Sequence, residues 1–181
     1  GAVTLAGSSP AVSIEDNSSG SIGQHLNVPN WHTSSSVSVH VFTVYRMLNL
    51  GYFPTIFGSN AQDLGVAILH DASNGNFRSA TIRSGGTSVQ NGALYTANTS
   101  VVRSVSANRS TLTDRVNGSV TATRSDSNTD FNMPANYRIG TVSNAMVLGS
   151  IRTCEYLFFD SDQSANIAAI ESAINSHYAI Y

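Results

Sequence analysis

The chain has no lysine: all nine basic residues are arginine, scattered singly from Arg46 to Arg152, and eleven acidic residues leave a net charge of −2. Nucleic-acid binding needs a clustered cationic face, so this charge pattern argues against that partner. Charged residues make up only 11% of the 181, well under the roughly 25% of an average domain. Cys154 is the only cysteine, which excludes an internal disulfide and a thiolate metal cluster. It sits in an apolar stretch and is expected to be a buried, inert thiol. No stretch reaches the roughly 18 apolar residues of a membrane span, and no signal-peptide pattern is present, so membrane insertion is not expected. The chain opens on Gly1 rather than Met, which fits a processed product or a module excised from a larger parent.

Ser, Thr and Asn take the place of the missing charge, and 41% of residues are hydrophobic. Neutral hydroxyl- and amide-rich surfaces suit β-rich virion or extracellular proteins, and they suit sugar binding or a plain structural surface. The length is that of one domain with a substantial core. Residues 1–36 read as an N-terminal arm with short edge strands around Val3 and Val12, and residues 37–181 as the main body.

The body reads as short strands separated by turns. Val37–Arg46 alternates Val37, Val39 and Val41 against Ser38, His40 and Phe42, the pattern of a central strand. His40 is expected to be a satisfied core residue. Further strands fall at 55–58, 64–70, 77–83, 100–107, 112–116 and 119–124, with turn signals at Asn74-Gly75, Gly85-Gly86, Asn91-Gly92 and, most clearly, Asn117-Gly118. Polar residues 125–136 form the longest loop expected. Strands spaced near ten residues apart, without solenoid periodicity, predict an antiparallel sandwich or jelly roll.

The last thirty residues are the most distinctive. Ile151–Phe159 is β-branched and aromatic; Asp160–Asn166 follows as a helix start, with Ser161, Asp162 and Ser164 as N-cap choices. Ile167, Ile170, Ile174 and Tyr178 then form one apolar stripe that must lie against a sheet. With Tyr137-Arg-Ile-Gly140 and Gly149-Ser-Ile151 before it, this unit resembles the closing strand and helix of concanavalin A-like, laminin G-like jelly-roll modules. Such modules occur in phage fibres and virions and in secreted bacterial carbohydrate-active proteins. The resemblance implies an all-β jelly-roll sandwich with one C-terminal helix, at a virion surface or outside the cell. It leaves activity open, because jelly rolls host lectins, hydrolases and structural pieces.

A two-carboxylate hydrolase needs acids facing each other across a cleft, and no predicted strand alternates them. Asp160 and Asp162 have the spacing but stand at a helix start, and Glu171 reads as structural in the resembling modules. No metal motif, nucleophile elbow or phosphate loop is present, so the chain is expected not to be an enzyme. Jelly-roll lectins often hold calcium in loops, and Asp71 with Asn74 or Asn76 could supply oxygens; a plain turn uses the same residues. For sugar binding, Trp31 is the first aromatic platform and Tyr52 the second, each with core-plug packing as the alternative. The expected ligand-binding set is thus Trp31, Tyr52, Asp71 and Asn74, with no required cofactor. The expected partners are a surface glycan or other virion proteins, and a homo-oligomer, most naturally a trimer, fits the virion setting.

Overall fold

The computed structural model describes residues 2–4, 10–14, 26–28, 31–32, 38–48, 55–59, 65–71, 75–83, 86–108, 110–125, 137–140 and 150–181. In chain order these form β1 (Ala2–Thr4), β2 (Pro10–Ile14), β3 (Leu26–Val28), β4 (Ser38–Met47), β5 (Thr55–Ser59), β6 (Gly65–Asp71) and β7 (Asn76–Arg83). There follow β8 (Gly86–Leu94), β9 (Ser100–Asn108), β10 (Thr111–Val116), β11 (Ser119–Ser125), β12 (Tyr137–Ile139), β13 (Ile151–Phe159) and α1 (Ile167–Tyr178). They build two antiparallel sheets, β1-β2-β13-β4-β9-β10-β11 and β3-β12-β5-β6-β7-β8, and the molecule is a β-sandwich with one C-terminal helix.

Period-2 alternation sorts the side chains into layers. On β4, Val39, Val41, Tyr45 and Met47 enter the core between the sheets, where Ile56, Phe57, Val66, Ile68, Val105, Leu112, Tyr137 and Ile151 meet them. The opposite β4 face carries Phe42 and Val44, which join Val102 and Ile174 in a second cluster beneath α1. Ile167, Ile170 and Tyr178 pack against that cluster, so the helical stripe lies on the outer face of the seven-stranded sheet as its spacing requires.

The core between the sheets holds a complete ion pair. Arg103 of β9 donates to Asp114 of β10 from Nε to Oδ1 at 3.0 Å and from Nη2 to Oδ2 at 2.6 Å. Its Nη1 donates to the Leu69 carbonyl of β6 at 3.0 Å, in the opposite sheet. The guanidinium also lies over the Phe77 ring, 5.1 Å from its centroid. Tyr45 Oη lies 2.9 Å from His70 Nε2 beside it.

A second polar contact fixes the helix. Glu171, 3% exposed, accepts from Ser104 Oγ at 3.0 Å and from Arg115 Nε and Nη2 at 3.0 and 2.9 Å. Arg115 Nη2 also donates to the Gly118 carbonyl in the β10–β11 turn. In that turn Asn117 and Gly118 both take positive φ, 49° and 78°, as an Asn-Gly hairpin requires.

Four sequence expectations need correction. The helix N-cap residue is Asn166, which makes no side-chain cap bond; Asp162 instead accepts from the Ser164 amide and hydroxyl in the preceding turn. Asn91-Gly92 makes no turn but lies inside β8, where the register against β7 slips between Asn76 and Arg78. Glycine suits that bulge, and a Cβ on Gly92 would come within 3.1 Å of Thr121 Oγ1. Cys154 is half-buried rather than buried, at the register shift between Thr153 and Glu155. His40 is buried and stacked on Phe42 at 4.3 Å, but neither ring nitrogen has a hydrogen-bond partner among the described residues. The loop at 126–136 lies outside the described residues.

Burial, the larger effect, holds His40 down to about 4 against the attraction of Glu171 and Asp162. Burial, then the Arg103 charge, holds His70 well below its ordinary value. Both rings fold neutral, while the unfolded chain takes up protons near pH 6.5, so acid favours unfolding. Stability is expected to be full above pH 6.5 and to fall as pH drops toward 4, by about 3 kcal/mol for His40 alone. Urea midpoints measured across that window test this: His40→Phe should flatten the slope, and an unchanged slope would refute the assignment. Glu171→Ala should cost roughly 2 kcal/mol and speed amide exchange in α1 before the sheets. Uniform exchange would show that the ion pair does not hold the helix.

Candidate binding site

Strand β13 places Glu155, Leu157 and Phe159 on the face that α1 covers, and the helix returns over them with Ile170, Ala173, Ile174, His177 and Tyr178. The helix does not cover the strand fully. An open groove of about 430 Å³ remains between them, within the roughly 300–1,000 Å³ of small-ligand pockets. Its lining is mostly apolar, from Leu157, Ile170, Ala173 and Ile174 with the aromatic Phe159 and Tyr178, and Glu155 and His177 supply polar groups.

Tyr178 stands beside Glu155. Burial, then the neighbouring Glu155 and Cys154, pushes its phenol up to about 12, and the phenol is hydrogen-bonded to Glu155, so it stays neutral. Burial, with Glu155 second, pushes the Cys154 thiol up to about 11, which leaves little nucleophilic thiolate at neutral pH. Among the described residues, Glu155 is the one carboxylate that lines the groove. Glu171 is turned under the helix into its ion pair with Arg115. The arrangement can hold a ligand with an apolar face and a polar edge; it offers no facing pair of carboxylates for acid–base hydrolysis.

Of the sequence-derived residues, the described ones, Trp31 and Asp71, do not line the groove. Trp31 is half-buried and packs its ring on Phe158 at 5.0 Å, Tyr137 at 5.6 Å and Phe57 at 6.3 Å. Its Nε1 is buried with no partner among the described residues. Asp71 closes β6, paired with Asn76. Tyr52 and Asn74 lie outside the described residues. The groove residues were visible in sequence only as strand and helix stripe, since a gap between two packed elements leaves no mark in periodicity. Glu155, the polar residue that alternates with Leu157 and Phe159, was the available signal.

No family model matches the chain, and no curated protein sequence does. Solved structures share its fold. The receptor binding domain of botulinum neurotoxin C/D mosaic serotype aligns with a TM-score of 0.72 at 13% identity, over 94% of this chain and 44% of that one. The binding domain of botulinum neurotoxin DC, solved in complex with rat synaptotagmin II, aligns at 0.70 and 12% over 91% and 47%. The serotype C1 binding domain aligns at 0.69 and 13% over 91% and 48%. The chain therefore spans less than half the length of these structures. At such identities the likeness shows the two-sheet sandwich itself.

Proposed function

We propose that this chain is a non-catalytic jelly-roll module that holds a surface glycan in the groove between β13 and α1, displayed on a virion or phage fibre. The observation that carries this is the chemistry of the groove: an aliphatic and aromatic lining, with Phe159 and Tyr178, that also holds Glu155 and His177 matches the apolar face and polar rim of a pyranose. The resemblance of residues 137–181 to concanavalin A-like modules supports the reading. So do the low charge and the solved neighbours, among them the receptor binding domain of botulinum neurotoxin C/D mosaic serotype. Attachment to other virion proteins, as a trimer, is the structural form of the same proposal.

A second reading is a carbohydrate-binding appendage of a secreted bacterial protein. It is favoured by one observation: the similar structures are parts of larger binding domains, of which this chain covers 44% to 48%. The ligand site is the same in both, and the neighbouring modules of the parent protein separate them.

A glycan array followed by calorimetric titration tests the site. Ala173 is exposed on the groove wall, so Ala173→Trp should fill the groove with little loss of stability and weaken binding at least tenfold, as should Tyr178→Ala. Binding is expected to persist in EDTA; its loss would move the site to a calcium loop at Asp71 and Asn74. Full affinity in Ala173→Trp, with binding lost in Trp31→Ala, would move it to the Trp31 platform.

A further inference from the structure

One rung of the seven-stranded sheet runs Ser13, Arg152, Arg46, Ser100 across β2, β13, β4 and β9. Directly paired residues share a face. Arg46 follows Phe42 and Val44 at alternate positions of β4, so both arginines stand on the outer face that α1 covers further along. Opposed side chains on one face have Cβ atoms about 5 Å apart, and like charges there repel.

No ion pair among the described residues offsets that repulsion. The ion pairs among the described residues join Arg103 to Asp114 and Arg115 to Glu171, and neither Arg46 nor Arg152 takes part. Both are half-buried, and the Nε of each is shut off from water with no hydrogen-bond partner among the described residues. Two guanidinium groups opposed across one rung, with no ion-pair partner among the described residues, offer donor forks of the kind that take a carboxylate or a sulfate oxygen pair. Half-buried Ser100 stands next in the rung with a hydroxyl to add.

The location joins this pair to the groove. Tyr178, at the end of α1, lies beside Glu155 and Cys154, so the helix stops short of Arg152, which the bulge leaves roughly 7 Å along the strand from Glu155. Glu155 stands between and disfavours a second anion in the groove itself. A ligand lying along β13 would set its neutral ring over Leu157 and Phe159 and its acid group on the arginines.

We infer that Arg46 and Arg152 form an oxyanion subsite at the open end of the groove, and that the ligand is an acidic glycan bearing a carboxylate or a sulfate ester. The inference rests on the glycan-binding reading for the ligand, but not for the oxyanion. The wild type and the Arg46→Gln/Arg152→Gln variant should be compared in two assays. In the first, sodium sulfate should raise the melting temperature above that in sodium chloride of equal ionic strength by clearly more in the wild type than in the variant, which keeps only the general stabilisation by an excluded anion. In the second, affinity electrophoresis through polygalacturonate, dextran sulfate and neutral dextran should show at least one acidic polymer retaining the wild type tenfold more strongly than the variant. Polygalacturonate alone would assign a carboxylate, and dextran sulfate alone a sulfate ester.

An equal sulfate effect in both proteins, or equal retention of both by the acidic polymers, would overturn the subsite. Equal retention of both by neutral dextran, with an equal sulfate effect in both, would overturn it and leave the glycan reading standing. A larger sulfate effect in the wild type without retention by any polymer would leave the subsite standing and sink the glycan reading. Should the double variant not fold, each single variant is expected to lose at least threefold in retention, and two unchanged singles would overturn the proposal.

Discussion

The two sheets are held in a defined relation by one buried cation. Arg103 is fully buried, and its guanidinium binds both oxygens of Asp114, the Leu69 carbonyl of the opposite sheet and the Phe77 ring face. A charge in such a place is costly unless every donor has a partner. The donors reach partners only when β9 and β10 are paired in their observed register and β6 and β7 lie opposite. Apolar residues alone would tolerate a slide of one sheet over the other; a guanidinium that bridges both sheets does not. Strand register and sheet offset are therefore coupled to one interaction.

The outer face follows from that register. Because β4 sits between β9 and β13, fixing β9 aligns Phe42 and Val44 with Val102 and with Leu157 and sets the apolar bed for α1. Glu171 then secures the helix through Ser104 of β9 and Arg115 of β10, the strands joined by the core ion pair. The helix covers the bed incompletely, and the groove beside Glu155 is what remains. The same rung geometry sets Arg46 against Arg152 beyond the helix end. A sandwich locked from inside thus presents a rigid outer face with an apolar groove and an arginine pair, a preorganised surface of the kind binding favours.

Much of this was legible in the residues. The Asn117-Gly118 hairpin, the alternation of β4 and the stripe of α1 each follow from a local rule, and the structure has all three. The core ion pair was legible only in part. Val101, Arg103 and Val105, and Leu112, Asp114 and Val116, each set a charge among inward apolar positions, and two such strands of opposite sign, adjacent in sequence, are the signal of a buried pair. Strand β8 escaped because Asn91-Gly92 imitates a turn, whereas the glycine serves a bulge with Thr121 close by. The groove and the arginine rung depend on cross-strand register between residues about a hundred positions apart, which no local pattern encodes. Trp31 drew notice as the one tryptophan, and its ring packs on Phe57, Tyr137 and Phe158.

The most direct test of this account is a double-mutant cycle on Arg103 and Asp114, read by urea unfolding. If the pair sets the sandwich, Arg103→Met and Asp114→Leu should each cost about 3–5 kcal/mol, and the double variant should recover most of that loss. Single losses that add to within about 0.5 kcal/mol would show the two residues to be independent, and the register of the sheets would then need another cause.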